Sequence, residues 1–249
     1  MQIRDSICFV TGSNRGIGRA IVEELIKRGA AKVYASARNP TALKELVDAS
    51  NGKVVAMRLD ITSEEQIQTA AKVASDTQIL FNNAGIVNYT GIISAADSKS
   101  ARAQMEVNYF GLMNMTRAFA PVLENNGGGV LVNLSSIAGL VGIPAMGTYG
   151  ATKAAIHSLT QSVRGELSAQ GTRIIGVYPG PIDTEMTAGL PFEKETPQQV
   201  AREILNGVES GVEEVYPDKT ALDFVAKLQT DAKGLEKEWS GLLPQPVEV

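Results

Sequence analysis

Short apolar runs alternate with longer stretches in which apolar residues recur every three to four positions, the two periods expected of buried strands and amphipathic helices. The pattern predicts strands at 6–10, 32–37, 53–59, 78–81, 130–134 and 173–177, and a last short one at 213–216. Helices are predicted at 19–28, 40–49, 63–74, 98–123, 150–170 and 197–209, with a further charged helical stretch at 220–239. Strictly alternating β and α units imply an α/β fold: a doubly wound, mainly parallel seven-stranded sheet with helices on both faces and ligands at the carboxyl ends of the strands. Nothing along 1–249 reads as a linker, repeat or low-complexity tract, so a single domain is expected, with 219–249 as a helical C-terminal extension.

The first unit carries the first chemistry. The run 6–10 ends at Thr11-Gly12-Ser13-Asn14-Arg15-Gly16-Ile17-Gly18, followed by the amphipathic stretch. Strand, glycine-rich turn and helix in that order suit a pyrophosphate, because glycines let the backbone approach it and a helix N-terminus meets its charge. The spacing is a variant of the dinucleotide fingerprint, so the fold is expected to be of the Rossmann type. The second chemical feature is Tyr149 and Lys153, four residues apart on a predicted helix and thirteen or more residues after Ser136. At that spacing a phenol and an ammonium share one helix face. A cation a few ångströms from a phenol lowers its pKa from about 10 and makes it a usable acid or base.

Together these residues resemble the short-chain dehydrogenase/reductase family. The turn from Thr11 to Gly18 is similar to its cofactor loop, in which Gly12, Asn14, Arg15, Gly16, Ile17 and Gly18 line the dinucleotide. Asn82-Asn83-Ala84-Gly85 resembles its second signature, with Asn83, Ala84 and Gly85 at the cofactor. Asn108, Ser136, Tyr149 and Lys153 resemble its catalytic set, and Tyr178-Pro179-Gly180-Pro181-Ile182-Asp183-Thr184 its nicotinamide clamp. The resemblance implies hydride transfer between a nicotinamide cofactor and a carbonyl or secondary alcohol. Tyr149 would donate the proton, Lys153 would lower its pKa and hold the ribose, Ser136 would bond the substrate oxygen, and Asn108 would hold a water near Lys153. Ser135 is the rival to Ser136, and the family interval to the tyrosine selects Ser136. Pro179, Gly180, Ile182 and Thr184 would meet the nicotinamide.

Two arginines bear on the cofactor. An acidic residue about 20 positions beyond the glycine turn holds the 2′-hydroxyl of NAD, whereas an arginine accommodates the 2′-phosphate of NADP. Here Ala37-Arg38 stands at that place, and Arg15 would add a second positive group, so NADP(H) is expected. Solvated surface arginines are the competing interpretation. Asp60 resembles the family residue that bonds the adenine, with capping of the following helix as its rival.

Composition narrows the class without naming the reaction. A net charge of −4 with no basic stripe argues against nucleic acid. No basic-then-apolar leader and no run of about 18 apolar residues occurs, so a cytoplasmic protein that does not enter the membrane is expected. Cys8 falls in the first strand and reads as a small core residue, and no metal site is expected. His157, the one histidine, is not needed for this chemistry. Met186, Leu190 and Phe192 are candidates for an apolar lid, and Asn88, Tyr89, Ile143, Pro144, Ala145 and Met146 for the other walls, which suits a small-molecule apolar carbonyl or alcohol. The resemblance implies a homodimer through helices 98–123 and 150–170, or a tetramer, although the tail after Tyr216-Pro217-Asp218 departs from the common family ending. An NAD-dependent alcohol dehydrogenase and a non-catalytic NADP-sensing protein are the alternatives.

Overall fold

The computed structural model describes residues 1–189 and 191–244. The lid candidate Leu190 and the Gln245-Pro246 end of the tail lie outside them. The chain folds as β1 (Ile7–Val10), α1 (Gly16–Lys27), β2 (Lys32–Ala37), α2 (Lys44–Asp48), β3 (Val54–Arg58), α3 (Glu64–Val73) and β4 (Ile79–Asn82). It continues through α4 (Lys99–Met105), α5 (Leu112–Asn125), β5 (Gly129–Leu134), α6 (Gly147–Leu167), β6 (Thr172–Val177), α7 (Pro197–Ser210), β7 (Glu214–Val215) and α8 (Lys219–Trp239). The seven strands form one sheet in the order β3-β2-β1-β4-β5-β6-β7, every pair parallel. This is the Rossmann-type single domain expected of the alternating pattern.

Strands buried on both faces are mostly apolar, as β1, β4, β5 and β6 are apart from Asn82, Asn133, Thr172 and Arg173. Their two faces feed two cores. Cys8, Val10, Phe81, Val132 and Val177 meet Ile21 and Leu25 of α1 and Ile204 and Leu205 of α7. On the other side Phe9, Leu80 and Leu131 meet Ile67 of α3 and Met115 and Phe119 of α5. A third, smaller core of Ile137, Tyr178, Ala221, Phe224 and Leu235 lies under α8. Register places the strand ends side by side: Val10 opposite Phe81, Asn82 opposite Asn133, and Leu134 opposite Val177. The segments after Val10, Asn82, Leu134 and Val177, which carry the sequence motifs, therefore emerge on one edge.

Most predicted bounds hold to within a residue or two; α6 lies three residues earlier than predicted at both ends, and four other elements differ for identifiable reasons. Helix α1 begins at Gly16, so the last glycines of the turn are its first residues. The 40–49 prediction divides into a 3-10 turn at Pro40–Leu43 and α2, because Asn39 Oδ1 accepts from Thr41 N and Pro40 starts the turn. The predicted helix 98–123 is interrupted by a π-helical stretch, Glu106–Gly111, between α4 and α5. The stretch 220–239 is not one straight helix: Asp231 has non-helical angles (φ −150°, ψ 68°) and its Oδ1 accepts from Gly234 N at 2.8 Å, starting a new helical segment. Phe224 and Trp239 would stand roughly 22 Å apart along a straight helix at 1.5 Å per residue. Their ring centroids are 5.3 Å apart, so the segment doubles back on itself.

Two glycines test the packing that sets the sheet edge. A Cβ on Gly18 would collide with the Gly12 carbonyl oxygen and the Asn83 amide nitrogen, whereas Gly165, exposed inside α6, has nothing within 4 Å. Gly18→Ala is expected to lower unfolding free energy by about 1–3 kcal/mol, the cost of overpacking. Gly165→Ala is expected to raise it by about 0.5–1 kcal/mol through backbone entropy. Chemical denaturation of the two variants checks both signs.

Candidate active site

The turn after β1 is built on hydroxyl and amide groups. Thr11 Oγ1 accepts from the backbone N–H of Asn83 and of Ala84, each at 2.9 Å, and Asn83 Nδ2 donates to the Thr11 and Gly12 carbonyls at 2.8 and 3.1 Å. The Asn83 side chain thus holds the glycine turn in shape and faces the turn, while its backbone lines the cleft. Gly12 has φ +67°, and a Cβ there would lie 3.0 Å from the Ala84 backbone, so the two turns touch. Arg15 occupies the N-cap of α1 without a side-chain cap, and the first turn of the helix carries no acidic residue. That leaves helix N–H groups and a positive dipole end free to receive an anion.

One cavity of about 450 Å³ runs along the whole sheet edge. At one end it is lined by Arg38, Asp60 and Ile61, in the middle by Gly12, Asn14, Gly16, Ile17, Gly18 and Gly85, and at the other end by Ser136, Tyr149, Ile182 and Thr184. A dinucleotide fits this shape: an anion-binding helix end at the centre, a cationic group at one end, a proton-donating group at the other. Asp60 Oδ1 accepts from Thr62 N and Oγ1, and these bonds, with the nearby Arg38 guanidinium, hold its carboxyl below the usual range. The cap of α3 is Ser63, which accepts from Gln66 N, so Asp60 is not the helix cap. Arg15 departs from expectation. Its guanidinium is ion-paired with Glu185, beyond the clamp and on the cleft lining, instead of standing free beside Arg38.

At the other end, burial governs the chemistry. Lys153 Nζ donates to the Leu134 carbonyl at 2.8 Å and lies 5.5 Å from the centroid of the Tyr149 ring. Burial pulls the Lys153 ammonium down to about 8. Burial also pushes the Tyr149 phenol well above its ordinary value, with the Tyr89 phenol adding to the rise and a hydrogen bond with Ser136 opposing it. The expected lowering by Lys153 is not found: its ammonium is committed to a backbone carbonyl, and desolvation of the phenolate is the largest effect on Tyr149. Tyr149 is held as a neutral phenol.

The two serines separate by their partners. Ser135 Oγ is buried and donates to the Lys153 carbonyl at 2.9 Å, pinning α6 to β5. Ser136 caps the 3-10 turn Ile137–Gly139, accepting from Ala138 N and donating to the Pro179 carbonyl, both at 3.2 Å. Of the two serines it is Ser136 that lines the cavity half-exposed beside Tyr149, while Ser135 is buried. Asn108 lies in the π-helical stretch, a kind of interruption frequent at functional sites. Its Oδ1 accepts from Ile86 N at 2.8 Å, and its Nδ2 donates to the Ile86 carbonyl and Thr152 Oγ1 at 2.9 and 3.0 Å. A Cβ on Gly85 would sit 3.2 Å from Asn108 Oδ1 and 3.9 Å from Lys153 Nζ, so both groups border one small space. His157 stands apart, its Nδ1 2.7 Å from the Tyr178 hydroxyl beneath α8.

Three contributors were not read from the sequence. Asp218, buried at the start of α8, accepts from Gly180 N at 2.8 Å and from Ala221 N at 2.9 Å, tying the clamp to the C-terminal segment. An Asp before a helical run is an N-cap signal; its second partner is a tertiary contact and leaves no local trace. Trp239 and Leu242 also line the cavity. Among the described residues no group of His, Cys, Asp and Glu is placed to hold a metal. No described helix is long and apolar enough to cross a membrane.

Comparison with known proteins agrees with this geometry. The sequence profile of the short chain dehydrogenase family matches residues 6–195. An uncharacterised oxidoreductase of Staphylococcus epidermidis is 31% identical over 195 residues, 77% of this chain and 84% of that one. Among solved structures, a short chain dehydrogenase from Burkholderia cenocepacia in complex with NADP is 40% identical with a TM-score of 0.91, covering 98% of this chain and 100% of that chain. A short chain dehydrogenase/reductase from Burkholderia phymatum in complex with NAD is 22% identical with a TM-score of 0.85, covering 100% and 99%, and shares the fold. With the glycine turn, the Ser136-Tyr149-Lys153 cluster and the parallel sheet in the same frame, the chain belongs to the short-chain dehydrogenase family and is an oxidoreductase.

Proposed function

We propose that this chain is an NADPH-dependent reductase of an apolar ketone or aldehyde. The observation that carries the reading is a half-buried Tyr149, with Lys153 Nζ 5.5 Å from its ring centroid, at one end of a continuous cleft whose other end carries Arg38. The similarity to an NADP-bound relative at 40% identity supports the same cofactor. Arg38 carries that preference, and Arg15, whose ion pair with Glu185 is solvent-exposed and weak, lines the same cleft as a second cation.

The residues then divide the work. Gly12, Asn14, Gly16, Ile17 and Gly18 would cradle the pyrophosphate at the α1 N-terminus, with Ala84 and Gly85 beside it. Pro179, Gly180, Ile182 and Thr184 would hold the nicotinamide, which supplies the hydride. The Tyr149 hydroxyl, and Ser136 Oγ once its proton turns away from the Pro179 carbonyl, would donate to the substrate oxygen, stabilising charge as it develops there. Tyr149 passes its proton to that oxygen. Because burial favours the neutral phenol, the acid form needed for reduction is the resting form, and alcohol oxidation would require the disfavoured phenolate. Lys153, adjacent to the ring, stabilises the phenolate left behind, and Asn108 sits where it can order a water beside Lys153. A cytoplasmic homodimer through the segment 98–123, which spans α4 to α5, and α6, or a tetramer, accompanies this proposal, supported by family resemblance.

Tyr149→Phe is expected to lower kcat about a thousandfold, within the range for loss of a general acid, with NADPH affinity retained; activity near wild type would remove Tyr149 from the reaction. Arg38→Asp is expected to weaken NADPH binding roughly tenfold to a hundredfold, the worth of a charge-assisted hydrogen bond, and to favour NADH. An unchanged preference in equilibrium titrations would overturn the role of Arg38.

Burial of Lys153 also has a pH signature. Its pKa is about 8 in the folded chain against an ordinary 10.5, so above pH 8 the unfolded chain binds more protons and stability rises with pH. The destabilisation is fully present below 8 and fades as pH climbs toward 10, where the tyrosines begin to titrate. Measured against Lys153→Met by thermal unfolding, wild type is expected to gain stability across that window. A difference independent of pH would show that Lys153 is not desolvated.

A further inference from the structure

The doubled-back C-terminal segment is the part of the cleft that the family motifs leave unused. From the turn at Asp231 the chain returns to Trp239, whose ring meets Phe224 edge-on. Lys227 and Glu238 form an ion pair across the two arms. The following residues lie along the 3-10 turn Pro144–Met146: Ala145 N donates to the Leu242 carbonyl at 2.9 Å, just before the helix that carries Tyr149. Beneath the hairpin, Phe224 and Leu235 pack on Ile137 and Tyr178. The Asp218 bond to Gly180 fixes its first residue to the nicotinamide clamp. The hairpin is thus indexed to both Ser136 and Tyr149 within a single chain.

We propose that Trp239 and Leu242 form the far wall of the substrate pocket, and that this wall selects uncharged ketones bearing a flat ring system. The inference rests on the reductase reading and deepens it. Around the Tyr149 end the lining is Tyr89, Ile143, Met146, Phe192, Trp239 and Leu242, all uncharged. The charged groups of the cleft are accounted for elsewhere: Arg15 with Glu185, Arg38 and Asp60 at the adenine end, and Lys153 on the Leu134 carbonyl. Lys227 and Glu238, beside Trp239 on the hairpin, pair with each other and do not line the cavity, so a charged substrate group would meet no partner at this end of the cleft. An indole fixed at its edge by Phe224 offers an apolar face that costs little conformational entropy to order. Ring-on-ring contact is favourable beyond simple area burial, and a chain-like substrate would not gain it. Tyr89 closes the same end from above, its hydroxyl donating to the Met186 carbonyl at 2.9 Å.

Trp239 is the single tryptophan of the chain, so its emission reports the wall directly. The full-length protein with saturating NADPH is titrated with 1-tetralone and with butanal, following tryptophan emission, calorimetric affinity and turnover. Tetralone is expected to change the emission saturably and to bind more tightly than butanal. In Trp239→Ala the ratio of kcat/KM for tetralone to that for butanal falls about tenfold, a change of about 1.4 kcal/mol, mostly through KM. Leu242→Ala, outside the Phe224 contact, shifts the same ratio in the same direction if Trp239→Ala fails to fold. An unchanged ratio in the folded variants, or no emission response to tetralone while butanal is still reduced, overturns the proposal. Saturable tetralone binding at Trp239 without turnover of any carbonyl supports the wall and overturns the reductase reading instead.

Discussion

The seat of Lys153 against the end of β5 is the constraint on which the site depends. Its Nζ reaches the Leu134 carbonyl, and its own carbonyl accepts from Ser135 Oγ, so side chain and backbone of one residue lock α6 to one strand end. The lock works only at close range. A Cβ on Gly139 would lie 2.5 Å from the Lys153 carbonyl carbon, and one on Gly150 would lie 2.8 Å from the Ala138 carbonyl oxygen. With α6 seated so, Tyr149, one turn earlier, faces Ser136 in the cleft. The cost is a desolvated ammonium, which a strand-end carbonyl offsets in part.

That same burial sets the protonation of the pair. A phenol exposed to water beside a lysine would titrate nearer neutrality; here desolvation of the phenolate is the largest effect and raises the Tyr149 phenol above its ordinary value. The active end is further enclosed by a segment of the chain distant in sequence. Asp218 joins Gly180 to α8, and α8 rests on the turn that Ser136 caps, so the segment after β6, Ser136 and the C-terminal hairpin share one set of contacts.

How much of this could be read from the chain follows from the range of each interaction. The sheet and its edge were legible because runs such as Leu80-Phe81 and Val130-Leu131-Val132 are apolar on both faces, which only a covered parallel strand tolerates. The cleft residues were legible because the glycine turn and the i, i+4 spacing of Tyr149 and Lys153 are local patterns. What was not legible depended on tertiary partners. Nothing near Arg15 in sequence announces Glu185, 170 residues away. The π-helical stretch at Asn108 is held by Ile86 and Thr152, and the reversal at Asp231 places Trp239 against Phe224. The sign of the Tyr149 shift was misjudged for the same reason: spacing reveals the neighbouring cation but not the depth of burial.

The most direct test of the reductase assignment is steady-state oxidation of NADPH, and separately of NADH, by the purified full-length chain across a panel of ketones and aldehydes. Turnover of at least one apolar carbonyl, with kcat/KM about tenfold or more higher with NADPH, is the expected result. Tight binding of either cofactor with no carbonyl reduced anywhere on the panel would contradict it.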